Sequence, residues 1–537
     1  MLALAVVLVA GSLAATPAAA GSGTPESNAT LVAAYPNPVE RGDPGEFVVV
    51  RFSGPTDATA WTLTDGKSTA RLPNRTLSGG VALSTAPNAS AAYTDRPVVE
   101  LEGRLSLANG GDRLRLRRGN ATVATASYRD APEGELRDFE RGAWRPLGAT
   151  DREPVRTAGG TATVFVLPDA PDLTAETLRS ADDRLLLGGY TLTSERVTDA
   201  LVAARNRGVT VRVLLDGSPV GGMTDRQARL LDRLAGAGVD VRVLAGPYTR
   251  YAHHHPKYAV VDDRALVLTE NFKPAGTGGM SSRGWGVILE DSGATDSLAS
   301  LHDADHGSRA ATPWSSYREG REFTAADPAL GNFTVRHPPE RVSVNSTKVL
   351  VAPDNAADAV VARVDAADEQ ILVQQVTVDG RDNRLLRAVL RAADRGVTVR
   401  ILLSSGWYAA EDNEALSAWL NRRAESAGWD LEARVDDPHG YEKLHSKGVV
   451  VDDTALVGSL NWGRTPQSEN REVVVALEGG EAADYYASTF ESDWTGPGSR
   501  SVPMAVLGVA AVAVALAALI ARRIEFVGRD GVVGWQP

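Results

Sequence analysis

The sequence contains no cysteine. That single absence excludes disulfides, thiolate nucleophiles, Cys-ligated zinc and lipid attachment through Cys. Lysine is almost as scarce, with six residues among the 56 Lys and Arg, set against 68 Asp and Glu for a net charge of −12. A balance of that sign argues against broad electrostatic capture of DNA or anionic lipid, and leaves room for one basic cleft. Catalytic chemistry in such a chain falls to His, carboxylates, Ser/Thr or the few lysines. What is present is globular: 43% hydrophobic and 23% charged residues over 537 positions, enough for three or four domains.

Both ends of the chain bear on location. Residues 1–20 are small and apolar, and Ala18-Ala19-Ala20 before Gly21-Ser22-Gly23 fits a signal-peptidase site, although a basic n-region is missing. Val502 to Ala521 is an uncharged run long enough to cross a bilayer, followed at once by Arg522 and Arg523. These features predict a single-pass membrane protein with its body outside the cell and residues 522–537 in the cytoplasm. Six Asn-x-Ser/Thr sites, at Asn28, Asn74, Asn88, Asn120, Asn332 and Asn345, agree with that placement.

Between about residues 25 and 135 the chain reads as short β-type runs punctuated by Gly, Pro and Asn, the texture of a β-sandwich. The order Gly45-Glu46-Phe47-Val48-Val49-Val50, then Trp61-Thr62-Leu63-Thr64-Asp65-Gly66, then Gly110-Gly111-Asp112 before Arg113 to Leu116, resembles the lamin-tail domain. That resemblance implies an immunoglobulin-like module, with a binding, spacer or purely structural role.

The remainder is a repeat. Arg207-Gly208-Val209-Thr210-Val211-Arg212 recurs identically as Arg395-Gly396-Val397-Thr398-Val399-Arg400, each copy preceded by an apolar strand and an amphipathic helical run. Strand–helix–strand twice over predicts an α/β fold with two pseudo-symmetric halves, over residues 155–325 and 335–497.

A second matching pair carries the chemistry. The twelve residues Val260 to Asn271 align without gaps to Val450 to Asn461, with eight identities. Just upstream lie His255-Pro256-Lys257 and His445-Ser446-Lys447. Each half therefore reads His-x-Lys-x4-Asp, with Asp262 and Asp452 closing the motif and Thr269-x-Asn271 or Ser459-x-Asn461 following. Two such motifs in register far exceed what eight His and six Lys give by chance. Extended backbone puts His255 and Lys257 on one side, and likewise His445 and Lys447. Packing the halves about a pseudo-twofold axis would then face two imidazoles and two ammonium groups across one cleft. Such a cluster suits a phosphodiester: one imidazole attacks phosphorus, the other protonates the leaving oxygen, and the lysines hold the charged oxygens.

The duplicated motif resembles the phospholipase D superfamily over roughly Val155 to Trp494. The resemblance implies a metal-independent, two-step phosphodiesterase acting through a phosphohistidine, with His255 and His445 as nucleophile and acid/base, His255 favoured as nucleophile. It implies that Lys257, Lys447, Asn271 and Asn461 hold the phosphate and that Asp262, Asp452, Thr269 and Ser459 brace the motif. Glu472 matches the acidic residue that orients a catalytic His, whereas its first-half counterpart falls near Gly286, so that Glu290 or Asp291 substitutes or one His goes without a carboxylate, a reduced first half beside a complete second. The whole is expected to be a β-sandwich, two phospholipase D-type α/β halves and one transmembrane helix. The expected substrate is a phospholipid at the cell surface, with a nucleic acid or a non-catalytic adhesive role as alternatives. No cofactor, metal or obligate protein partner is implied, although His253-His254-His255 offers an alternative metal site. Trp285, Trp407, Tyr408 and Trp462 are candidates for the cleft rim, or else core and loop aromatics.

Overall fold

The computed structural model describes residues 28–496 apart from 39–41, 247, 278, 280, 327–330 and 332. The expected leader at 1–20 and the apolar run at 502–521 with its tail lie outside the described residues. Among the described residues no helix is long and apolar enough to cross a membrane. The chain divides into two compact units, Met1–Arg145 and Pro146–Pro537.

The first unit is built from a six-stranded and a five-stranded sheet. Strands Phe47–Asp57 and Thr76–Ser84 lie in the first sheet, and Trp61–Thr64 and Gly111–Arg118 in the second. Their inward residues, Val48, Val50 and Phe52 from one sheet and Trp61, Leu63, Leu114 and Leu116 from the other, share one core. Alternation along each strand thus makes a two-layer β-sandwich. The strand Glu135–Asp138 pairs with Ala29–Tyr35, so the unit runs past the expected limit at residue 135.

The second unit contains both halves of the repeat. Strands Arg184–Gly189, Thr210–Asp216 and Asp240–Leu244 run parallel, joined by helices Glu195–Asn206 and Asp225–Gly236. In the second half Gln370–Gln375, Thr398–Leu403 and Leu431–Val435 do the same, joined by Arg384–Asp394 and Ala410–Ala427. The repeated hexapeptide now has a physical reason. Gly208 and Gly396 both adopt φ of 97°, the left-handed turn that releases the chain from each crossover helix into the next strand. Arg207 donates to the carbonyls of Arg179 and Ala181, and Arg395 to those of Val364 and Ala367. Each arginine satisfies carbonyls orphaned at the end of a neighbouring helix.

Antiparallel strands complete each sheet: Tyr258–Val261, Arg264–Leu268 and Ser282–Glu290 in the first, Lys447–Val451, Thr454–Gly458 and Glu472–Glu478 in the second. One face of each set meets the other in a shared core containing Val260, Val267 and Val287 with Val450, Val457 and Val475. The opposite faces pack on their own helices. Trp285 and Trp462 are buried in these cores, at 0% and 2% exposure, so neither lines a rim. Trp285 instead stacks on Tyr486, with ring centroids 4.4 Å apart.

The boundary between halves differs from the expected one. Val155–Ala158 pairs with Ser346–Ala352 in the second-half sheet, and Glu340–Ser343 pairs with Thr161–Leu167 in the first. The halves have exchanged edge strands. A four-residue β segment carries no mark of which sheet it will join, so the repeat alone assigned each to its nearer half.

Candidate active site

The two His-x-Lys motifs sit where the halves meet. His255 and His445 do not lie within strands; they are the extended lead-ins to Tyr258–Val261 and Lys447–Val451. Each is pinned by the opposite half: the His255 amide donates to the Arg471 carbonyl and the His445 amide to the Arg283 carbonyl, both at 2.9 Å. Lys257 and Lys447 reach back to the carbonyls of His255 and His445. The same-side relation of His and Lys therefore holds although the strand starts later than expected.

Arg283 and Arg471 anchor this arrangement through buried ion pairs. Arg471 meets Asp305 at 2.9 Å and Asp354 at 2.8 Å, with Tyr251 beneath its guanidinium. Arg283 meets Asp493 at 2.9 Å and Asp169 at 2.6 Å, with Tyr441 beneath. The pairing is the same in both halves, and no carboxylate is left uncompensated. Sequence reading missed both arginines. The signal was available, since Arg283 and Arg471 open strands at equal offset in the repeat.

Each histidine is oriented by a carboxylate from the other half. His255 Nδ1 lies 2.9 Å from both Glu472 carboxylate oxygens, and Asn470 holds Glu472 at 3.0 Å. His445 Nδ1 lies 3.2 Å from Glu270 Oε2. A carboxylate accepts only, so the His255 ring carries its proton on Nδ1, whereas His445 Nδ1 stands between Glu270 and the Lys447 ammonium, the latter also at 3.2 Å.

Glu270 overturns the expectation of a reduced first half. The strand register makes Gly284, not Gly286, the counterpart of Glu472: Leu167 pairs with Gly284 as Ala352 pairs with Glu472. Glu270 reaches the vacated position from the neighbouring segment, where the second half has Leu460. Glu290 instead pairs with Arg341 and Thr161 at the surface, and Asp291 caps the helix Ser292–His306. Neither substitutes for Glu472.

The remaining motif residues divide as follows. Thr269 and Ser459 accept from the amides of Trp285 and Val473, tying each Asn-bearing turn to its strand. Asn461 lines the cleft beside His445, and Asn271 follows Glu270 directly. Asp262 and Asp452 stand at the far ends of their strands with φ of 54° and 51°. Asp262 accepts from the amides of Asp182, Asp183 and Arg184, and Asp452 from those of Asp368, Glu369 and Gln370. They hold turns and lie away from the cleft.

The electrostatics are those of a buried cluster in which loss of water disfavours charge. Burial, then Lys257 and Lys447, hold the His255 imidazole down at about 4 against the pull of Glu472. Burial and Lys447 do the same to His445, also to about 4, against Glu270. Lys257 is lowered well below an ordinary lysine by burial, and Lys447 to about 8. Burial pushes the Glu472 carboxyl up, but His255, Lys257 and Ser459 outweigh it and leave it lowered. An anion placed between the lysines would favour their charged forms.

His253, His254 and His255 do not converge. His253 faces Asp216, His254 is buried against the Gly189 carbonyl, and His255 faces Glu472. Among the described residues no group of three or more His, Asp or Glu side chains is placed to hold a metal ion. Of the four candidate aromatics Tyr408 lines the cleft, and its neighbour Trp407 is 92% exposed. Tyr190 was missed: its ring stands edge-on to His255 at 4.7 Å and its hydroxyl accepts from the Val220 amide.

Fold and site together define a duplicated α/β protein whose halves share one anion-receptive centre. Residues 174–296 and 360–494 match the family described as cardiolipin synthase, PLD-like domain. Both halves of the repeat therefore belong to the phospholipase D superfamily. Among curated proteins it is similar to the mitochondrial cardiolipin hydrolase of Xenopus tropicalis, 34% identical over 111 residues, 20% of this chain and 48% of that protein. It is also similar to a phospholipase D of Rickettsia bellii, 24% identical over 174 residues, covering 30% of this chain and 81% of that one. The chain spans about half the length of the cardiolipin hydrolases it matches. Among solved structures, the phosphatidylserine synthase of Haemophilus influenzae aligns at 13% identity with a TM-score of 0.47, covering 61% of this chain and 84% of that one.

Proposed function

We propose that the protein is a phosphodiesterase that cleaves phospholipid phosphodiesters through a phosphohistidine. The observation that carries this reading is the pair of crossed imidazole–carboxylate contacts, His255–Glu472 and His445–Glu270, set beside two buried lysines.

In the first step neutral His255 Nε2 attacks phosphorus and forms the P–N bond. The P–O bond to the leaving alcohol breaks, and protonated His445 gives its Nε2 proton to that oxygen. In the second step His445, now neutral, takes a proton from water as the water oxygen attacks phosphorus. The P–N bond breaks and His255 returns neutral. Lys257 and Lys447, with Asn271 and Asn461, hold the phosphoryl oxygens throughout. An alcohol in place of water would make the reaction a transfer.

The apolar run at 502–521 supports action at a membrane surface, where tethering raises the effective lipid concentration. The lamin-tail-like first unit is then a spacer or binding arm.

The test is cleavage by the full chain in non-ionic detergent with EDTA, offering phospholipid and DNA in parallel, with His255→Ala as control. Phospholipid cleavage that survives EDTA and is lost in the variant is the expected result. Cleavage of DNA alone would transfer the reading to a nuclease, and activity abolished by EDTA would defeat the phosphohistidine step.

A further inference from the structure

The two sides of the cleft are related by the repeat but not by charge. On the second-half side a recess of about 320 Å³ opens beside His445 and Asn461, bounded by Val376, Asp379, Tyr408 and Pro466. No Lys or Arg is among its lining residues, and no basic side chain pairs with Asp379 among the described residues. Gly463 makes room for the carboxylate, since a Cβ there would overlap Asp379 Oδ2.

The equivalent positions in the first half read differently. Thr193 and Asp379 occupy the same place, each donating its amide to the carbonyl at the end of the Asn turn, Phe272 or Trp462. Where the second half has Gly463, the first has Lys273. Passing from one side to the other therefore loses a cation and gains a carboxylate. Although Asp379 is exposed, loss of water and then the neighbouring Asp412 hold its carboxyl above the usual range.

We propose that the recess beside His445 receives the leaving alcohol, and that Asp379 selects there for alcohols bearing amine or hydroxyl donors and against those bearing a further phosphate. This rests on the phosphodiesterase reading and deepens it. A carboxylate attracts an ammonium and accepts from hydroxyls, while it repels a second phosphate. The alcohol oxygen then lies against His445, which assigns protonation of the leaving group to that residue and attack to His255. A polynucleotide would place its next phosphate on this wall, so the same feature disfavours nucleic acid.

The test is equilibrium binding to the full chain carrying His255→Ala, which retains the recess but lacks the attacking ring. Calorimetry compares glycerophosphoethanolamine and glycerophosphoglycerol with glycerophosphoglycerol phosphate, the same diester with an added phosphate on one arm. The expected result is binding of the first two about tenfold or more tighter than the third, a preference lost in Asp379→Asn and reversed in Asp379→Lys. Equal binding of all three, or a preference that survives Asp379→Asn, overturns the proposal. So does no binding of any by folded protein. If that protein without the His255 change still cleaves a phosphodiester, only the recess assignment falls; if it cleaves none, the phosphodiesterase reading falls too.

Discussion

The side chain of Glu270 passes through the volume that a Cβ on Gly284 would occupy, its Cγ overlapping that position. A Cβ on Gly276 would likewise stand 2.6 Å from Glu270 Oε2. Two glycines thus open the path by which a carboxylate from one strand end takes over the task that Glu472 performs from another.

Gly284→Ala is therefore expected to displace Glu270 and behave as a loss of that carboxylate. Activity should fall by between ~10² and ~10⁴-fold, the range for losing an acid–base group or its orienting partner. Glu270→Leu should do the same, since Leu460 is the second-half residue at that place. The double change Glu270→Leu with Gly284→Glu rebuilds the second-half arrangement in the first and should recover much of the activity. Steady-state kinetics on the three variants decide the matter, and a double variant no better than Glu270→Leu would refute the relocation.

The pH dependence follows from the two imidazoles. His255 must be neutral and His445 protonated, and both titrate near 4 in the free protein. kcat/KM should accordingly peak around pH 4 and fall as pH rises from there. Glu270 favours the charged form of His445, so its removal lowers that pKa further. Glu270→Gln should move the alkaline limb to lower pH, while a limb that stays or rises would contradict the contact.

Anion binding should take up protons. Lys447 sits at about 8 and Lys257 well below an ordinary lysine because burial disfavours their charge. A phosphate between them favours the charged forms and raises both values. Titrating inorganic phosphate at pH 8 in two buffers of different ionisation enthalpy should show net proton uptake, reduced in Lys447→Met. Equal heats in both buffers would count against an empty lysine pair as the anion site.

The buried arginines should be costly to remove. Arg471→Met leaves Asp305 and Asp354 without their cation, a loss of about 3–5 kcal/mol. Arg283→Met should cost a similar amount through Asp169 and Asp493. Urea unfolding measures both, and adding Asp305→Asn and Asp354→Asn to Arg471→Met should restore part of the loss.

Much of the site was readable because the chemistry is written twice. His255, Lys257, Asn271 and their second-half counterparts announced themselves by spacing, and the bracing roles of Asp262 and Asp452 were implied by the family resemblance. Glu270 was hidden for a physical reason. Aligning a repeat compares each position with its own copy, whereas a side chain can reach one point in space from either of two neighbouring segments. The glycine at 284 was the visible trace. Trp285 and Trp462 misled because an aromatic beside a motif looks the same whether it faces the cleft or the core behind it.

The exchanged edge strands bear on how the protein comes apart. Val155–Ala158 is zipped into the sheet of the second half and Glu340–Ser343 into that of the first, so each half is clasped by a piece of chain leading to the other. Cutting the connection between them would leave the clasp fastened on both sides, and pulling either half away would bare a sheet edge on each. The candidate active centre is assembled across that joint, with His255 and His445 each leaning on the opposite half. The two repeats must consequently mature and melt together, as one cooperative body carrying a single site.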